Sequence, residues 1–75
     1  MANELYKDYL LISRAEYNAE TGFWVPKVNI SWCAAKGGYH FHSLAGPLAL
    51  FTAEQEAVAQ GFLLARLWVD KRLLT

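Results

Sequence analysis

Between Phe23 and Trp32 the chain alternates with a period of two: Trp24, Pro26, Val28, Ile30 and Trp32 on one side, Val25, Lys27, Asn29 and Ser31 on the other. Such alternation predicts a strand with its even positions under a second layer and Lys27, Asn29 and Ser31 on the wetter face. From Thr52 to Leu74 the period becomes helical. At about 100° per residue, Ala57, Val58, Gly61, Phe62, Leu64, Ala65, Trp68 and Val69 gather in one broad arc, which is the core face of an amphipathic helix. Leu63, Leu67 and Leu74 fall on the opposite side, among Glu56, Gln60, Asp70 and Lys71. With Asp70 they follow the four-three-four spacing of a helix-pairing seam. This surplus of apolar positions exceeds what one small sheet covers and predicts an interface on the outer helix face.

The remaining elements follow from shorter signals. Tyr6 to Arg14, with Tyr9, Leu10, Leu11 and Ile12, reads as a first strand whose inward face the consecutive apolar residues leave open. Asn18, Glu20, Thr21 and Gly22 within Glu16 to Gly22 predict the turn of a hairpin. Pro26 has no amide to donate, so it belongs near a strand start, at a bulge, or where its ladder position faces no neighbour. Ala34 to Gly38 ends in paired glycines suited to a tight turn, and Tyr39 to Leu44 returns as a third strand. Ala45-Gly46-Pro47 breaks that strand, and Leu48 to Phe51 leads into the helix.

Thr52 and Gln55 have the spacing of a capping box, which places the helix start at Thr52. Glu54 and Glu56 near the start, and Arg66, Lys71 and Arg72 near the end, complement the helix dipole. Gly61 costs about 1 kcal/mol in a helix interior relative to Ala, and its structural use is close approach of helix to sheet. The expected fold is α+β: a three-stranded antiparallel meander followed by one long C-terminal helix packed on one sheet face, a single β-β-β-α domain over residues 1–75.

At 75 residues there is room for one domain, and a chain of this size buries only roughly 60% of its unfolded surface, which makes dimerisation a natural remedy. A 55% apolar content with three Trp, four Tyr and four Phe predicts a packed fold. Seven basic and seven acidic residues sum to zero, and Lys7, Arg14, Lys27 and Lys36 are dispersed, so nucleic acid is not a favoured partner. The lone Cys33 makes no intramolecular disulfide, which fits a reducing, cytoplasmic setting. No basic segment followed by an apolar run opens the chain, and no stretch approaches the ~20 apolar residues of a membrane span, so neither a targeting signal nor membrane association is expected.

Tyr6-Lys7-Asp8-Tyr9, Gly22 to Val28, Phe51 to Ala57 and Trp68-Val69-Asp70 together resemble a scattered group of small, uncharacterised bacterial β-β-β-α domains. These pieces span most of the chain, but they are aromatic anchors, a turn and a helix cap, so the resemblance implies shared fold more than shared chemistry. The order of features is also distantly similar to the HlyU-type small bacterial regulators, with a His-containing third strand and an Asp near the helix end. That resemblance implies a regulatory role, although fold alone does not determine function.

His40 and His42 lie two apart in one strand and project from the same face, a spacing compatible with a metal. A stable site needs a third and often a fourth ligand. Cys33 is isolated and no Asp or Glu lies between Thr21 and Ala53, so the expectation is a half-exposed histidine pair beside Tyr39 and Phe41, with no cofactor. Cys33 lacks a flanking catalytic signature and reads as a small packing residue. Ser31 and Ser43 lack a nucleophile elbow, and Lys36-Gly37-Gly38 lacks the rest of a phosphate loop, so no catalytic residues are assigned and no enzymatic activity is expected.

Trp24, Trp32 and Trp68 are expected in the core. Tyr39 and Phe41, with Lys27 or Lys36 nearby, would stack bases in a single-strand binder, a reading that the neutral charge weakens. For Leu63, Leu67 and Leu74 the alternative to an interface is scattered surface leucine, which folded proteins tolerate. Their spacing favours the interface, with a homodimer simplest and another protein the alternative. The expected function is therefore a non-catalytic interaction or regulatory module that self-associates. The alternatives are a nucleic-acid-associated transcriptional regulator and, more remotely, a small metal-binding protein using His40 and His42.

Overall fold

The computed structural model describes residues 2–45 and 51–74. It contains four strands, β1 (Ala2–Tyr6), β2 (Tyr9–Asn18), β3 (Phe23–Cys33) and β4 (Tyr39–Ala45), followed by helix α1 (Glu54–Leu73). The sheet is an antiparallel meander in the order β1-β2-β3-β4. The expected three-stranded meander is therefore corrected to a four-stranded sheet with one C-terminal helix.

The extra strand arises where Tyr6 to Arg14 was expected to run straight. Lys7 and Asp8 both adopt positive φ, 49° and 69°, and set Tyr6 opposite Tyr9. Two consecutive left-handed residues between paired strands have the twist of a tight hairpin, normally supplied by Asn-Gly or Asp-Gly. Lys-Asp lacks the glycine that marks such a turn in a sequence.

The other two hairpins fall where expected. β2 continues through Asn18, and the following turn closes with the Gly22 amide donating to the Asn18 carbonyl at 2.8 Å. Asn18 Oδ1 also accepts the Glu20 amide at 2.9 Å. Gly37 and Gly38 take φ of 90° and 80° between β3 and β4.

On the helix side of the sheet lie Tyr9, Leu11 and Ser13 from β2 and Pro26, Val28 and Ile30 from β3, all buried. The helix answers with Ala57, Gly61, Ala65 and Val69, one buried residue every fourth position. The small side chains let α1 settle on β2 and β3. At Gly61 a Cβ would collide with Ser13 Oγ and lie 3.7 Å from Val28 Cβ, so this glycine serves the close approach expected of it. Ser13 is fully buried and donates its hydroxyl to the Val58 carbonyl at 2.7 Å, which satisfies a polar group at the tightest point of the contact. Complete burial of Leu11 and Ile30 contributes about 1.5–3 kcal/mol each.

Pro26 pairs with Ala15 one residue beyond the β3–β4 ladder, whose last pair is Lys27 with Ala45. By strand parity its missing donor would point away from β2, the direction in which Trp24 donates to the Phe51 carbonyl at 2.8 Å. Phe51 is thus pinned to the sheet, and Thr52 and Ala53 form a bend. Ala53, not Thr52, is the N-cap residue, with φ −122° and ψ 140° and no side-chain capping bond. The expected helix start at Thr52 is corrected: the bridge at Phe51 holds the threonine one residue too early to cap. The expected strand break at Gly46-Pro47 and most of the lead-in from Leu48 fall outside the described residues.

Candidate functional site

The outer face of α1 carries the leucines singled out above. Leu63 is 50% exposed, Leu67 67% and Leu74 87%, the last lying just past the helix end, where its amide donates to the Asp70 carbonyl. Leu73 is exposed too but continues the inner series one turn past Val69, facing Tyr9, Trp32 and Cys33 and not the outer stripe. Asp70 does not belong to this stripe. It turns toward β1, where its carboxylate accepts the Tyr6 hydroxyl at 2.9 Å and pairs with Lys7 Nζ at 2.7 Å. One turn earlier, Arg66 grips Glu4 in a two-pronged contact, Nε to Oε2 at 2.8 Å and the terminal nitrogen to Oε1 at 2.6 Å. The Lys7 ammonium, then the Tyr6 hydroxyl, hold the Asp70 carboxyl below its ordinary pKa, and the Arg66 guanidinium does the same for Glu4.

The histidines sit on the other flank of the helix. Register places His42 opposite Ile30 and His40 opposite Trp32, so both share the helix side of the sheet. Tyr39 and Phe41 occupy the opposite face rather than lying beside them. His42 stacks on Trp68 with ring centres 4.6 Å apart and planes 15° apart, and His40 stacks on Trp32 at 5.5 Å. The two indoles touch at 5.4 Å. The Arg72 guanidinium lies 4.7 Å from the Trp32 ring centre and donates to the Tyr9 hydroxyl at 3.2 Å. Trp32 and Trp68 are thus half-buried platforms as well as core, and the histidines are exposed. Among the described residues no three His, Cys, Asp or Glu side chains gather in a metal-binding group. Cys33 is exposed at the end of β3, contrary to the packing role expected of it.

The open sheet face carries a cross-strand row of Leu5, Leu10, Ser31 and Phe41, with Phe41 76% exposed and Tyr39 beside it. The next row, Asn3, Ile12, Asn29 and Ser43, is mostly polar, and Ser43 donates to Asn29 Oδ1 at 2.8 Å. Lys27 is not beside the aromatics. It lies opposite Ala45 and pairs with Glu16 at 3.0 Å, and Glu16 also takes Arg14 at 3.2 Å. No helix among the described residues is long and apolar enough to cross a membrane.

Comparison with protein-family models, curated proteins and solved structures returns no match.

Proposed function

We propose that this chain is a non-catalytic protein-interaction module that self-associates through the outer face of α1 in a reducing, cytoplasmic setting. The observation that carries the reading is the exposure of Leu63 and Leu67 side by side on one helix face, with Leu74 extending the apolar surface at its end. Exposed apolar groups placed together gain free energy by leaving water jointly, and two-fold symmetry lets such a patch pair with itself. The regulatory role implied by resemblance is compatible with such a module. Nucleic-acid association has a narrower footing, the exposed pair Tyr39 and Phe41, because, of the two lysines expected near them, Lys27 is engaged by Glu16 and Lys36, in the adjoining turn, is left to serve that role.

Changing Leu63 and Leu67 together to Glu is the direct test. Light scattering should report a shift to monomer while far-ultraviolet circular dichroism retains the helix, since neither side chain reaches the core. A wild-type chain that stays monomeric at high concentration, or a double variant with unaltered association, would reject this interface.

A further inference from the structure

Strand β4 is the least protected element of the sheet. It forms one edge, every residue from Tyr39 to Ala45 except Leu44 is exposed, and it contains no Asp, Glu, Lys, Arg or Pro. Protein sheets ordinarily guard an edge with charge, proline, a bulge or a covering element. The opposite edge is guarded: β1 is five residues long and carries Glu4, which is locked to Arg66.

The free ladder of β4 is readable from parity. The Trp24 amide donates to Phe51 on the side of β3 away from β2, and the Ala34 amide donates to the Gly38 carbonyl across the hairpin. Even-numbered residues of β3 therefore direct their amides toward β4. Val28 with Leu44, Ile30 with His42 and Trp32 with His40 are the hydrogen-bonded pairs. Tyr39, Phe41, Ser43 and Ala45 are left pointing their N–H and C=O groups outward, and no described residue pairs with them.

We infer that β4 is a docking edge for a second copy of this chain, the two β4 strands pairing antiparallel about a two-fold axis near His42 to form one continuous sheet. The sequence of the strand is self-complementary in that register. Phe41 opposes Ser43 of the other copy and Tyr39 opposes Ala45, large against small on the open face, and all four outward residues find hydrogen-bonding partners. No formal charge on β4 selects a foreign strand or opposes its own image. The contact is isologous and closes on itself, leaving only the guarded β1 edges at the ends.

This inference rests on the self-association reading but not on its interface. The helix lies over β2 and β3, so edge pairing sets the two helix axes about four strand spacings apart, ~19 Å. Directly packed helices lie only about 8–10 Å apart. The strand edge and the leucine face are therefore separate contacts about separate axes, and the variants below tell which one holds the copies together.

Residue-resolved amide exchange at high and low protein concentration separates the two. Edge pairing slows the Phe41 and Ser43 amides about tenfold or more at high concentration, and dilution releases them. Phe41→Pro should abolish that protection and dissociate the protein while the inner ladder survives, because the amide it removes points outward. Phe41→Lys, which keeps the amide and adds an edge charge, should dissociate it as well if the proline variant misfolds. Free exchange of both amides in a protein that self-associates, with association lost in the Leu63, Leu67 double variant, would overturn the edge and retain the helix face. Free exchange in a persistent monomer would overturn both, and protection of these amides in a chain that light scattering shows to be monomeric would overturn edge pairing by a second copy.

Discussion

The two flanks of the helix are held by different chemistry. Toward β1, α1 presents Arg66 and Asp70, which reach Glu4, Tyr6 and Lys7 through charged hydrogen bonds of 2.6 to 3.0 Å. Toward β4 it presents Trp68, which meets His42 face to face and Trp32 at a tilt, with Arg72 laid over both indoles. Polar clamps specify position but contribute little net energy at a surface, whereas stacked aromatics remove area from water and tolerate sliding. The β1 edge is consequently fixed from below by charged groups. The β4 edge is supported from below at its histidines and otherwise open among the described residues.

The seam between these flanks is the place where one change disturbs both. Gly61→Leu would drive a side chain into Ser13 and Val28, lifting α1 from the sheet and breaking the Ser13 bond to the Val58 carbonyl. A loss of about 3 kcal/mol, at the upper end of ordinary overpacking, is expected in urea unfolding, with the β1 clamp and the tryptophan cluster weakened together. Trp68→Ala acts on one flank only. Because Trp68 is half-buried, about 2 kcal/mol is expected, less than for a fully buried tryptophan. Its amide-exchange signature should be faster opening around His40 and His42 with the Tyr6 region unchanged. Equal effects on both edges would show that the flanks are not independent.

What the sequence revealed divides along the same lines. The inward set from Trp24 to Trp32 and the arc around Gly61 and Ala65 were legible because each has one apolar side and one polar side. Tyr9 to Ile12 were not assignable, since consecutive apolar residues fit either face; the structure buries Tyr9 and Leu11 and turns Leu10 and Ile12 the other way. β1 was missed because its turn uses Lys7 and Asp8 in a conformation that glycine usually announces. That omission had a consequence at the site. Without β1 in place, Asp70 had no visible partner and read as part of the leucine stripe, and the pairing of Arg66 with Glu4 had no signal at all. Ser13 was likewise invisible as a core residue, because a hydroxyl in a strand marks burial only when the carbonyl it reaches is known.

Acid sharpens the contrast between the flanks with the smallest expected effect. In the folded chain Asp70 and Glu4 have pKa values below their ordinary ones, held there chiefly by Lys7 and Arg66. A carboxyl depressed by folding binds protons more weakly folded than unfolded, so its contribution is complete above the unfolded value and is lost as pH falls through the folded one. For these two groups the loss begins near the usual carboxylate range, at about pH 4, and continues below it. Both pairs are solvent-accessible, so the change should be modest and reduced by salt. Urea midpoints measured from pH 7 down to pH 3 should fall less steeply in a Glu4→Gln, Asp70→Asn variant than in the wild type, while Trp68→Ala keeps the wild-type slope at lower overall stability. A double variant with an unchanged slope would place the acid sensitivity elsewhere, with Glu16, held low by Lys27 on the open face, as the next carboxylate to change.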